Sequence, residues 1–193
     1  SGNIGPRGDG YVAGEKMSAS EAASYHDAQV RSFAATRADM ICAITMTYAE
    51  EAIGIVNAAT QHGMPVVIGF TTQTDGRLPS GQALNDAIGQ VDAETGAAAA
   101  YFMVNCAHTE HFDHALAAGE AWTRRVRGVR ANASRMSHAE LDEAEHLDDG
   151  DPKEFGQLYL ALRERLPHLS VFGGCCGTDH RHIHEVDLAM ATT

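Results

Sequence analysis

Short runs of apolar residues alternate along this chain with longer segments in which apolar positions recur at helical spacing. Most of the runs are apolar on both faces, as in parallel strands that helices cover on each side. This alternation is typical of repeated βα units around a parallel sheet. Five strands are predicted, at residues 40–45, 65–71, 99–105, 126–131 and 169–173. Six helices are predicted around them, at residues 20–35, 49–62, 81–95, 110–118, 152–166 and 179–189.

The segment 134–151 breaks the pattern, because it is polar, acidic and too long for an ordinary connection between a helix and a strand. Two interpretations stay open. It is a solvated loop with a short helix, or it is a lid or partner surface on the active face.

Composition narrows the class of protein. The 193 residues are 44% hydrophobic, which fits one α/β domain over residues 1–193. With 26 acidic and 14 basic residues the formal net charge is −12, which disfavours nucleic acid and anionic membranes as partners.

No apolar run approaches the ~20 residues that a membrane span needs, so we expect a cytoplasmic protein. Because the chain opens without Met, we also expect an upstream piece to be missing.

The four cysteines of a cytosolic chain are more plausibly ligands or core residues than a disulfide framework. Cys42 lies inside a predicted strand and is most simply core packing. Cys175 and Cys176 follow the last strand between glycines, which permit a turn that brings both sulfurs to one atom. Cys106 also follows a strand directly, so parallel strands would place all three thiols at one edge of the sheet.

Three thiolates favour zinc, with one coordination position left open as in catalytic sites. Such a site suits a further thiolate that must stay nucleophilic, and the chemistry implied is alkyl transfer to sulfur. The alternatives from spacing alone are a redox pair at Cys175 and Cys176 and a buried, inert Cys106.

The motif Val104-Asn105-Cys106, followed by Gly173-Gly174-Cys175-Cys176-Gly177-Thr178, resembles the homocysteine S-methyltransferase family. The segment 2–6 looks like that family's third-strand turn, and 39–52 and 69–71 are similar to its fourth and fifth strand regions. The resemblance implies a (β/α)8 TIM barrel, of which this chain supplies about six βα units.

The resemblance also implies that Cys106, Cys175 and Cys176 hold Zn²⁺, and that homocysteine sulfur takes the open position. The sulfur would attack a methyl group on a sulfonium or quaternary ammonium donor. The residues that we expect at the substrate are Asn105, Thr45, Thr71, His108 and Asn132.

Two departures from the family are visible. The first two βα units have no counterpart here, so either upstream residues exist or partner chains, as in a homo-oligomer, cover the gap. In addition, Ile44-Thr45 stands where the family has Glu-Thr, whose carboxylate holds the amino group of homocysteine. An isoleucine cannot accept that hydrogen bond, so the acceptor is either a different thiol or is held by another acid.

We therefore predict a zinc-dependent S-methyltransferase that converts homocysteine to methionine, or a related thiol to a thioether. The donor predicted is a sulfonium compound such as S-methylmethionine. The alternatives are a non-catalytic zinc- or thiol-binding barrel relative and a redox protein that uses a Cys175–Cys176 disulfide.

Overall fold

Six parallel strands form a single sheet in chain order in the computed structural model, which describes residues 1–117 and 119–191. The strands are β1 Gly2–Ile4, β2 Ile41–Met46, β3 Val66–Phe70, β4 Tyr101–Asn105, β5 Val126–Ala131 and β6 Val171–Gly174. All five strands predicted from the hydrophobic pattern are confirmed within two residues at each end. The first strand is too short to give a pattern of its own.

Helices follow the strands and cover one face of the sheet. They are α1 Ala19–Ala34, α2 Ala49–Gln61, α3 Leu84–Thr95, α4 Thr109–Phe112, α5 His138–Asp142, α6 Pro152–Arg165 and α7 His180–Ala191. Side chains stabilise their first turns: Ser18 forms a capping box with Glu21, and Asp151 accepts hydrogen bonds from the backbone N–H groups of Lys153 and Glu154.

The helix predicted at 110–118 is wrong in length. It ends at Phe112, and a 3-10 turn at Asp113–Ala115 follows, while Ala118 lies outside the described residues. The segment 134–151 contains the short helix α5, which begins with a capping box between Ser137 and Glu140.

The two faces of the sheet differ in what covers them. Helices pack on one face, where Ile41, Ile68, Val104 and Val129 belong to the main core. The opposite face, here called the helix-free face, carries a smaller apolar cluster. Its members are Met40, Cys42, Ile44, Val67, Tyr101 and Met103. The sheet with its alternating helices is a curled, partial (β/α)8 barrel with six of the eight strands, and the carboxyl ends of these strands form one edge. Among the described residues no helix is both long and apolar enough to cross a membrane.

Candidate metal centre

Three cysteine sulfurs converge at the carboxyl edge of the sheet. The Sγ atom of Cys106 lies 2.6 Å from that of Cys175 and 3.6 Å from that of Cys176, and all three sulfurs lie within 4.8 Å of one another. Cys106 is buried, Cys175 is partly buried and Cys176 is exposed. The cluster therefore has a closed inner side and an accessible outer side.

The backbone holds each cysteine in place. Cys106 has a left-handed φ of 57°, and its N–H donates to the carbonyl of Arg130 at 3.0 Å. The N–H of Cys175 donates to the carbonyl of Ala131 at 2.9 Å. A Cβ atom at Gly174 would approach Thr178 Oγ1 to 2.1 Å, so this glycine is required where the turn closes.

Asn105 holds Thr45 in an unusual conformation. Its Oδ1 atom accepts the N–H of Thr45 at 2.9 Å, and its Nδ2 atom donates to Thr45 Oγ1 at 2.9 Å. Thr45 has a φ of 62°, which is rare for a β-branched residue, and the register of β2 shifts at this point. Gly69 leaves room for the amide, since a Cβ atom there would lie 2.5 Å from Asn105 Oδ1.

Two further predicted site residues support the cysteine backbone. Thr71 donates from its hydroxyl to the carbonyl of Cys106 at 3.2 Å, and Asn132 Oδ1 accepts the N–H of Cys176 at 3.1 Å. Both side chains are buried. Asn132 also lines the cavity beside Cys176, so it reaches both the turn and the open side of the centre.

His108 lies elsewhere. Its Nδ1 atom caps α4 by accepting the N–H of Glu110 at 3.3 Å, and its ring lines a separate small cavity with Arg135 and Asp148. Burial lowers the pKa of His108 to about 4, so the ring is neutral at neutral pH. The structure does not place this ring in the cavity beside Cys176.

Tyr11, in the loop after β1, is a site residue that the sequence did not reveal. Its hydroxyl lies 3.3 Å from the Sγ atom of Cys106 and 3.6 Å from that of Cys176. The ring stacks on His138 of α5 with centroids 4.1 Å apart. Burial, together with the hydrogen bond to Cys106, raises the pKa of the Tyr11 phenol far above its usual value. The phenol is thus a neutral group on the open side of the cysteine cluster.

The three thiols interact through their hydrogen bonds. Hydrogen bonds with Cys106 and Cys175 lower the pKa of Cys176, whereas the hydrogen bond with Cys106 raises the pKa of Cys175.

Comparison with known proteins now decides the family. The profile of the family described as homocysteine S-methyltransferase matches residues 1–190. The chain belongs to this family.

Solved structures agree on the fold. The homocysteine methyltransferase MmuM from Escherichia coli superposes in its apo form with a TM-score of 0.69 at 17% identity, over 97% of this chain and 61% of that chain. Its metallated form gives a TM-score of 0.69 at 16% identity, over 99% of this chain and 60% of that chain. Its oxidised form gives a TM-score of 0.67 at 18% identity, over 94% of this chain and 56% of that chain. The chain thus spans about three fifths of the length of these relatives. A search of the curated proteins finds no match.

The donor set of this family member fits a thiophilic metal ion. Zn–S bonds of about 2.3 Å in a tetrahedron separate the sulfurs by roughly 3.8 Å. The sulfurs of Cys106 and Cys176 are 3.6 Å apart, which is near that value. The sulfurs of Cys106 and Cys175 are 2.6 Å apart and would have to separate for both to bind one zinc ion. The Tyr11 hydroxyl contacts two of the three sulfurs, those of Cys106 and Cys176.

A large cavity opens beside the cysteines. It has a volume of about 750 Å³, and its wall includes Tyr11 and Cys176. Residues of the segment 134–151 form much of the remaining wall, so this segment lies on the same side of the molecule as the three cysteines. Four acidic residues line the cavity, namely Asp9, Asp142, Glu145 and Asp148.

The loop that carries Tyr11 is anchored by Glu51, a fully buried residue in the first turn of α2. The Oε1 atom of Glu51 accepts the backbone N–H of Arg7 at 2.6 Å and lies 3.0 Å from His26 Nε2. Removing this carboxylate would leave the buried His26 ring and the backbone N–H of Arg7 without their partner.

We expect Glu51→Ala to lower the free energy of unfolding by about 3 kcal/mol, because it breaks a buried network from one side. Chemical denaturation measures this loss. The anchored loop should also open, so trypsin should cleave faster at Arg7 and Lys16. The neighbouring Glu50→Ala is the matched control and should leave cleavage unchanged. Equal behaviour of the two variants would mean that Glu51 does not hold the loop.

Proposed function

We propose that this chain carries the zinc-binding half of an S-methyltransferase that methylates a small thiol. The observation that supports this proposal most strongly is the convergence of three cysteine sulfurs at the carboxyl edge of the sheet. The family membership and the metallated form of MmuM support it further. Homocysteine is the acceptor named for the family, and methionine would be its product.

Zinc held by Cys106, Cys175 and Cys176 would keep the acceptor thiol ionised at neutral pH while leaving it a lone pair. The acceptor sulfur forms a bond to the methyl carbon of the donor. The bond from that carbon to the donor sulfur breaks, and its electron pair leaves with a neutral thioether. The acceptor's proton passes to solvent.

Residues of the chain position these reactants. Thr71 holds the backbone carbonyl of Cys106, and Asn105, the residue before this cysteine, holds Thr45 on the neighbouring part of the sheet edge. The Tyr11 phenol covers the open side until the acceptor arrives. The carboxylates of the cavity favour a cationic donor, which supports a sulfonium such as S-methylmethionine.

Methyl transfer is tested with the zinc-loaded chain, a series of small thiols that includes homocysteine, and S-methylmethionine labelled in its transferable methyl group. We expect label in a thioether product that depends on zinc and disappears in Cys175→Ser. Because MmuM is longer than this chain, the same assay is repeated with any longer natural protein that contains this sequence. Zinc-loaded protein of both lengths that transfers no label to any small thiol would contradict the proposal and favour a non-catalytic zinc- or thiol-binding relative.

The phenol's position leads to a separate prediction. In Tyr11→Phe the three cysteines remain, so we expect unchanged zinc content. An added thiol no longer displaces the hydroxyl, so it should bind severalfold more tightly. Calorimetric titration of zinc-loaded protein with 2-mercaptoethanol measures this. The outcome that counts against the covering role is thiol affinity that is unchanged or weaker in Tyr11→Phe.

A further inference from the structure

Arg130 lies at the foot of the cysteine cluster and faces the helix-free side of the sheet. Its strand neighbours Val129 and Ala131 both belong to the helix-covered core, so the intervening side chain points the other way. In the register of the sheet it lies between Asn105 on β4 and Gly173 on β6. Its own carbonyl accepts the N–H of Cys106.

The side chain of Arg130 runs across Gly173. A Cβ atom at that glycine would lie 3.3 Å from Arg130 Cγ and 3.6 Å from Nε. Burial raises the pKa of the Cys42 thiol on β2, and the Arg130 guanidinium opposes that shift, as does the chain's amino terminus. The positive charge of Arg130 therefore acts on the Cys42 thiol across the helix-free face.

This guanidinium is half-buried and has neither a hydrogen bond nor an ion pair within the part of the chain that the structure describes. The other half-buried arginines there are satisfied. Arg125 pairs with Asp92, and Arg163 donates to the sulfur of Met190. A partly desolvated guanidinium with five unused donors is an anion-binding group, because planar carboxylates match its geometry.

Within the part of the chain that the structure describes, none of the six strands carries an Asp or Glu residue, and the side chains clustered on the helix-free face are hydrophobic. Ile44 lies in this cluster, next to Thr45 and its partner Asn105. A thiol whose tail extends from the cysteines over this face would meet hydrocarbon and then a positive charge. An ammonium group there would be unpaired and repelled.

We propose that Arg130 forms an anion subsite for the acceptor, so that the centre selects short thiols that carry a carboxylate and no ammonium group. This inference rests on the proposed function, since it requires a thiol bound at the metal. It assigns the acceptor to mercaptocarboxylic acids rather than to amino-acid thiols.

The test compares three thiols of matched length, which are 3-mercaptopropionate, 2-mercaptoethanol and cysteamine. Each is titrated into the cobalt-loaded chain, and the visible thiolate-to-cobalt absorption reports binding. Each affinity is corrected for the thiol's own pKa. We expect the anionic thiol to bind about tenfold more tightly than the neutral one, and the cationic thiol to bind most weakly.

Two variants assign the preference to Arg130. In Arg130→Gln the anionic and neutral thiols should bind equally, whereas Arg127→Gln, an exposed change on the same strand, should keep the tenfold difference. Ile44→Glu gives an independent reading if Arg130→Gln does not fold, because it should reverse the order and favour cysteamine.

The outcomes separate the two proposals. Thiols that bind with no preference for the anion, or a preference that survives Arg130→Gln, would overturn the subsite and leave the thiol-binding centre standing. A cobalt spectrum that no thiol changes would overturn the proposed function itself, and the subsite with it.

Discussion

Cys106→Ala is expected to abolish stable zinc binding. Thiolate-rich sites provide roughly 10–16 kcal/mol in zinc-binding peptides, and one of three thiolates accounts for about a third of that. The expected loss of affinity is therefore on the order of 1000-fold. Competition with a chromophoric chelator measures it directly.

Cys42→Ala is the matched control for this loss. Cys42 is also a buried cysteine, but it packs in the apolar cluster of the helix-free face, away from the three converging sulfurs. This variant should keep about one zinc per chain. If Cys106→Ala retained zinc as well as Cys42→Ala does, Cys106 would not be a ligand.

Asn105→Ala is expected to cost about 2–4 kcal/mol in the free energy of unfolding. The change removes both hydrogen bonds to Thr45 and leaves a backbone N–H without its partner. Without the amide, Thr45 is no longer held in its left-handed conformation, so the local backbone at the end of β2 is lost as well. Denaturant unfolding of the metal-free chain isolates this cost from any change in metal binding.

A double-mutant cycle with Thr45→Gly shows where the cost arises. Glycine adopts a φ of 62° without strain, so Asn105→Ala should cost less when residue 45 is glycine. A coupling energy near zero would mean that Asn105 stabilises the fold by some other route.

The strands and the cysteine trio could be predicted because each depends on local signals. Buried parallel strands are apolar on both faces, so runs such as Val66–Phe70 stand out in the sequence. Cys106 and Cys175 each follow a strand closely, and parallel strands end at one edge. From those two facts alone the three sulfurs are expected to be neighbours.

The positions that the sequence did not predict depend on contacts between distant segments. Tyr11 reaches the cysteines from a loop that a buried carboxylate on α2 anchors 44 residues away along the chain. The direction of Arg130 could not be assigned from alternation, because the register of β4 and β5 shifts between Phe102 and Met103. His108 follows Cys106 closely, but α4 begins directly after it, and the ring caps that helix instead of facing the main cavity.

The proposed metal centre consists of three cysteine thiolates with one exchangeable position. X-ray absorption at the zinc edge of the purified, zinc-loaded chain tests it most directly. We predict three sulfur neighbours at about 2.3 Å and one oxygen neighbour, with a fourth sulfur replacing the oxygen when a small thiol is added. Fewer than three sulfur neighbours, or zinc ligands that an added thiol leaves unchanged, would contradict a three-cysteine centre with an exchangeable position.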